Sequence, residues 1–290
     1  MRKGPLYNLA ATFAFATMTA LVKDARGELD PFAMVFWRCV MAIPFGLPIV
    51  GLRWKVVSPF YVGIRTLFGF CAMTTLFAAA KDLPLANLSL IGRLQPVLVA
   101  LFAPLVLGAG ERAPRVVWIA LGVGVISSFV MLAPEVHTAA WGAGLLALVG
   151  CLFSAAAHIS IRGLGAREDP QAVVFWFHVG SALLALIFTL ALHGPGAILP
   201  SPSLLPALVA IGATAFVGQT MMTLAYSFDR AALVVAVTYT DPVIAAIYDT
   251  LFFAGPPSGR VIVGGALVVV TSLLVLVDRS GPAKAQPPPA

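Results

Sequence analysis

Ten apolar runs, each close to 20 residues long and parted by short polar breaks, set the pattern of this chain. They lie near residues 5–22, 33–52, 60–80, 84–108, 115–133, 141–161, 172–192, 204–227, 231–254 and 260–277. About 20 residues of helix cross the roughly 30 Å of hydrocarbon in a bilayer. The pattern therefore predicts an all-α membrane protein with ten transmembrane helices and the lipid bilayer as its surroundings. Composition agrees: 60% of residues are apolar, 10% are charged and the mean hydropathy is +0.98, where soluble domains have about 45–50% apolar and about 25% charged residues.

Two runs are interrupted by polar residues. In Leu85–Leu107 the break is Arg93-Leu94-Gln95-Pro96. A guanidinium at mid-bilayer depth costs about 2.5–3.5 kcal/mol on insertion scales, so Arg93 is expected to face protein or trapped water. Pro96 lacks an amide hydrogen and its ring clashes with the carbonyl of Gly92, which predicts a bend there and a free Gly92 carbonyl. In Leu233–Phe253 the break is Tyr239-Thr240-Asp241-Pro242, with Pro242 standing 146 positions after Pro96. A cation beside one kink and an anion beside the other suit a small polar or zwitterionic substrate passing between the two broken helices.

The matched prolines belong to a repeat. Residues 30–40 (DPFAMVFWRCV) recur at 169–179 (DPQAVVFWFHV) with seven of eleven positions identical, including Asp-Pro and Phe-Trp. Five spans per copy is odd, so the second copy enters the bilayer from the opposite side. The prediction is two inverted five-helix repeats, residues 1–134 and 141–278, around a central cavity, followed by a disordered tail at 279–290. Inverted repeats with interrupted helices at matched places point to alternating access in a secondary transporter.

The net charge of +6 has a local explanation. With the N-terminus in the cytoplasm, eleven Lys and Arg residues fall in cytoplasmic segments and four (Lys23, Arg26, Lys81 and Arg260) outside. This bias places both termini in the cytoplasm. No basic patch alternates with aromatics, so no nucleic-acid partner is expected. Arg2-Lys3 before an apolar run also has the look of a signal peptide, but nine further spans favour a retained first helix. Cys39, Cys71 and Cys151 each lie inside a span, lack metal-ligand spacing and read as packing residues, so neither disulfides nor a metal are expected. The 193–206 loop, with four prolines and no formal charge, is expected to be an ordered outer connection, with a gate as the alternative.

Candidate substrate-binding residues are Arg93, Gln95, Tyr239 and Asp241 at the breaks, with Trp37, Met73, Phe77, Trp176, Gln219 and Tyr226 as apolar wall and polar contacts. Arg93 can pair a carboxylate through two hydrogen bonds, or be a structural partner of a neighbouring helix. Asp241 can accept an ammonium or carry a coupling proton, or simply pair with an arginine. His158 is a second proton candidate and His178 a weaker one, against the commoner fate of a buried, hydrogen-bonded imidazole. Trp37 and Trp176 can stack a planar substrate, though packing is the commoner role. Arg38 and Arg65 are expected to snorkel toward the membrane surface, and Asp249 is left unassigned.

The duplicated five-helix unit, Lys23 after the first helix, the Asp-Pro openings and Leu-x-Gln-Pro followed by Gly110-Glu111 resemble the drug/metabolite transporter superfamily, EamA type. Within it the chain looks most like YddG-type exporters of aromatic amino acids. The resemblance implies a basket of ten helices lined by spans 1–4 and 6–9 in the bacterial inner membrane, as monomer or homodimer, exporting small metabolites such as apolar or aromatic amino acids. S-adenosylmethionine, nucleosides and cationic drugs are alternative cargoes. An intramembrane enzyme would need a nucleophile beside a base or a metal cluster, and a channel a continuous polar stripe; neither pattern occurs. No Walker-type sequence is present, so no ATPase subunit or cofactor is implied.

Overall fold

The computed structural model describes residues 2–25, 28–51, 54–79, 82–83, 85–132, 141–165, 167–252 and 258–277. The tail expected from residue 279 lies outside them, as does the side chain of Asp249. The helices in chain order are α1 (Lys3–Ala25), α2 (Pro31–Val50), α3 (Pro59–Ala79), α4 (Leu85–Gly92), α5 (Gln95–Leu107), α6 (Arg115–Leu132), α7 (Trp141–Leu164), α8 (Pro170–His193), α9 (Leu205–Phe228), α10 (Ala231–Ala236), α11 (Asp241–Phe252) and α12 (Gly259–Val277). Among the described residues nine helical segments are long and apolar enough to cross a membrane, and Arg115–Met131 is a shorter apolar tenth. The fourth span is α4 with α5. The ninth is α10 and α11, joined by a 3₁₀ turn over Val237–Thr240.

Local chemistry fixes where the repeated second span begins. Asp30 accepts from the Phe32 and Ala33 amides, and Asp169 accepts from the Gln171 amide. The proline that follows each acid takes the first helical position, where its missing N–H costs nothing. The same two-residue signal thus starts α2 and α8.

Packing between the copies is reciprocal. Contacts between the copies include those of α1 with α9, α3 with α7, α2 with α8, α6 with α12 and α5 with α10, and α2 also packs on α9 and α3 on α8. Numbered within each copy, the first span meets the third of the other copy and the third meets the first, while the second, fourth and fifth meet their own counterparts. Returned contacts of this kind characterise a two-fold interface. An odd number of spans per copy lays that pseudo-axis in the membrane plane.

Spans five and ten pack chiefly on each other and on the ninth span, so the other eight enclose the centre. The 193–206 connection is ordered, with 3₁₀ turns at Pro195–Ile198 and Pro202–Leu204. No disulfide links Cys39, Cys71 and Cys151.

Candidate functional site

The two interrupted spans are fastened to each other at their breaks. Arg93 lies in the turn between α4 and α5, where its Nη1 donates to the Thr238 carbonyl (3.1 Å) and its Nη2 to Ser89 Oγ (3.4 Å). The same guanidinium forms an ion pair with Asp241, the first residue of α11. Tyr239 returns the contact by donating from its hydroxyl to the Arg93 carbonyl, 2.7 Å away. Each break therefore supplies side chains to the backbone of the other. Their side chains are 12% and 29% exposed for Arg93 and Asp241, so the pair faces protein and retains some access.

The bend is placed differently from the expectation built on Pro96. Helix α4 stops at Gly92 and α5 restarts at Gln95, which puts Pro96 in a fresh first turn. The carbonyl recruited by the other copy is that of Arg93, not Gly92. A proline in the first turn needs no amide partner, so the chain breaks before it instead of bending around it.

A polar track runs from this junction into the bundle. The Gln95 amide lies 2.9 Å from His158 Nδ1, and the same nitrogen lies 2.6 Å from the Ser154 carbonyl, a contact that an Nδ1–H donor makes. His158 Nε2 stands 3.1 Å from Met222 Sδ. Tyr226, with its ring centroid 5.4 Å from that of His158, is fully buried and its hydroxyl has no partner among the described residues. One turn before Met222, Gln219 accepts from Arg65 Nη2 at 2.8 Å.

Arg65 and Arg38 depart most from the pattern-based expectation. Both were expected to snorkel, and both are instead enclosed by protein, at 1% and 3% exposure. Each lies about 10 Å into its helix, six residues after Pro59 and seven after Pro31. The Arg65 guanidinium stacks on the Phe177 ring at 3.6 Å. Arg38 directs Nε at Met18 Sδ (3.1 Å) and Nη1 at Met73 Sδ (2.6 Å). His178, the weaker proton candidate, is enclosed as well, with its Nδ1 2.8 Å from the Val174 carbonyl. Of the residues expected at the site, Met73 and Gln219 thus serve the arginines, and Phe77 packs among apolar neighbours.

The matched tryptophans bond to loops of the opposite copy. Trp37 Nε1 donates to the Ile198 carbonyl in the α8–α9 connection (2.6 Å), and Trp176 Nε1 donates to the Trp54 carbonyl in the α2–α3 connection (2.7 Å). These are the same connection in the two copies, at opposite ends of the bundle. Both indole donors are therefore occupied by backbone. We predict that Trp37→Phe raises maleimide labelling of Ile198→Cys by about fivefold, the equivalent of about 1 kcal/mol for one neutral hydrogen bond, and that Trp176→Phe leaves it unchanged. Equal labelling in all three backgrounds would show that the indole does not hold that end.

Three acids tie further chain segments together. Glu111 accepts from Arg162 Nε and from the Ala231 amide, both at 2.8 Å, while Arg162 Nη1 reaches the Tyr226 carbonyl. Asp229 holds Arg2 and the Gly4 amide. Glu168 accepts from the amides of Val57 and Ser58. All three acids gather chain segments at the end of the bundle where α1 begins. Among the described residues, no cluster of His, Cys, Asp and Glu is arranged to hold a metal.

The EamA-like transporter family model matches residues 2–133 and 141–277, once per copy. The chain belongs to that family. Membership makes it a multi-pass membrane transporter of small molecules. It is 30% identical to the pseudopaline exporter CntI of Pseudomonas aeruginosa, over 97% of this chain and 98% of that protein. It is 25% identical to a riboflavin transporter of Rhizobium johnstonii, over 94% and 90%. A crystal structure 22% identical in sequence superposes with a TM-score of 0.80 over 94% of this chain and 96% of the other, which supports the fold.

Proposed function

We propose that this EamA-family chain exports small carboxylate-bearing metabolites, amino acids among them, across a bacterial inner membrane by alternating access. Both termini are cytoplasmic in this reading, and residues 1–134 and 141–278 are the two moving halves, in a monomer or homodimer. The carrying observation is the reciprocal packing of two copies whose broken helices are fastened at Arg93, Tyr239 and Asp241. Such a junction can rearrange without unpacking either copy, because the contacts lie at helix breaks where backbone torsions change most easily. The tryptophan–carbonyl bonds at opposite ends would open in turn.

The substrate-binding set is the polar track from Arg93, Gln95, Tyr239 and Asp241 to Gln219, with Trp37, Met73, Phe77, Trp176 and Tyr226 around it. A zwitterion can exchange with the Arg93–Asp241 pair, its carboxylate taking the arginine and its ammonium the acid. Asp241 is also the better-placed proton carrier, since its side chain lies at the junction of the two breaks and retains 29% exposure. The export direction and the small-metabolite cargo are supported by the likeness to the pseudopaline exporter.

Counterflow in proteoliposomes tests the reading. Vesicles preloaded with an unlabelled amino acid should accumulate the labelled form transiently, whereas empty vesicles should not. Absence of exchange for a panel of amino acids and common organic acids would remove it.

A further inference from the structure

Arg38 and Arg65 place two positive charges inside the bundle, and no described carboxylate lies within ion-pair distance of either. The acids that are enclosed elsewhere already have partners: Glu111 has Arg162, Asp229 has Arg2, Asp241 has Arg93 and Glu168 has two backbone amides. Among the described residues Arg38 is left with the Met18 and Met73 thioether sulfurs and the Cys39 thiol, all weak acceptors for a guanidinium. Arg65 has one amide oxygen and an aromatic face, and its Nε and Nη1 are buried without an acceptor among the described residues. Unpaired buried charge is strongly unfavourable, and within membrane spans it marks substrate or ion sites by default.

The fold does not itself require this charge. At the place of Arg38 the second copy carries Phe177, and that ring packs the same kind of helix crossing while serving as the platform for Arg65. Room has been left for the guanidinium as well. A Cβ at Gly69, one turn along α3, would stand 2.8 Å from Arg65 Nη1. A planar guanidinium fixed on an aromatic face, with donors free on two of its nitrogens, suits hydrogen bonding to the oxygens of an anion.

We propose that Arg38 and Arg65 form an oxyanion-binding site of the transport pathway and that the preferred cargo is a metabolite with net charge −2, a dicarboxylate or a phosphate ester. This inference rests on the transport reading above and narrows its substrate class. Arg38, Arg65 and Arg93 against Asp241 leave two positive charges along the track. A zwitterionic amino acid adds no net charge there, whereas a dianion balances it.

The test uses purified full-length protein in detergent micelles. Its melting midpoint is followed with glutarate, glycerol 3-phosphate or L-phenylalanine at equal concentration, against sodium chloride of matched ionic strength. At least one dianion should raise the midpoint saturably, and phenylalanine should have a smaller effect. Comparing glutarate with glycerol 3-phosphate separates carboxylate from phosphate recognition. Arg38→Gln and Arg65→Gln should each weaken the responding dianion by about tenfold or more, the worth of a charge-assisted hydrogen bond, and Arg65→Lys should fall between.

No response of wild type to either dianion overturns the site, as does an unchanged response in both Gln variants. Should those variants not fold, wild type still decides: bound dianion must be displaced by excess of itself and not by phenylalanine at the same excess. Counterflow then separates the two claims. Exchange of phenylalanine with no dianion binding overturns this inference and leaves the transport reading standing. Dianion binding with no exchange of any solute keeps the site and overturns the transport reading.

Discussion

Asp241→Asn is expected to cut counterflow by about a hundredfold and to destabilise the protein by about 3 kcal/mol, because it leaves the Arg93 guanidinium enclosed without its counter-charge. Removing one member of a buried pair costs about 3–5 kcal/mol. The lower end applies because the Asp241 side chain retains 29% exposure and solvent screens part of the charge. Asparagine keeps the shape and one acceptor oxygen, so the loss is electrostatic. Arg93→Gln should be damaging for the converse reason, though its bonds to the Thr238 carbonyl and Ser89 hydroxyl are lost as well. The decisive quantity is the coupling between the two sites. If the breaks of the fourth and ninth spans are held together by this pair, Arg93→Gln with Asp241→Asn should melt well above the sum of the single losses. Simple additivity would mean that the pair does not join the halves, and the central junction would then have to be sought in Tyr239 alone. The same single variant reads out coupling: if Asp241 carries the proton, an imposed pH gradient drives uptake by wild type and has no effect on Asp241→Asn.

What could be read from the chain without coordinates was set by period and repetition. Ten runs of span length gave ten spans. The Asp-Pro pairs gave the starts of α2 and α8, because a side-chain cap followed by proline acts through local geometry alone. The offset between Pro96 and Pro242 placed Arg93 and Asp241 at matched breaks, and their pairing follows once the copies are packed head to foot. The fates of Arg38 and Arg65 were not legible in the same way. Their helices are apolar nearly all round, so no stripe of polar residues marks the face turned to the centre. Snorkelling then competes with burial on distance from the helix end alone, and at about 10 Å that measure does not decide. The rule that placed Arg93 inward, that charge at depth seeks protein, applies equally to Arg38. A further signal lay in the repeat, where the residue matched to Arg38 is an aromatic able to carry a cation on its face. The roles of Trp37 and Trp176 needed coordinates, since their partners are backbone carbonyls in loops 161 and 122 residues away.

Gly212→Ala should be among the most damaging single methyl additions in the protein. A Cβ at Gly212 would lie 2.4 Å from Met41 Cβ, 2.5 Å from its carbonyl carbon and 2.8 Å from its carbonyl oxygen. Two of those three atoms are backbone, so no side-chain rotation relieves the clash and helices α2 and α9 must move apart. In a bilayer, close helix approach through small residues replaces the hydrophobic drive that holds soluble bundles together. Overpacking of a rigid contact costs about 1–3 kcal/mol, and the upper end is expected here. Gly63→Ala is the matched control: nothing lies within 4 Å of its added Cβ, and replacing a helical glycine by alanine favours the helix by about 0.5–1 kcal/mol. Melting in micelles should therefore fall for the first variant and hold or rise for the second. The consequence reaches the site, since Gln219 lies seven residues, or about two turns, beyond Gly212 on α9 and so on nearly the same face. Forcing α9 from α2 draws that amide away from Arg65, and exchange should weaken even where the protein remains folded. Equal melting of the two alanine variants would show that α2 and α9 do not cross as closely as their contacts require.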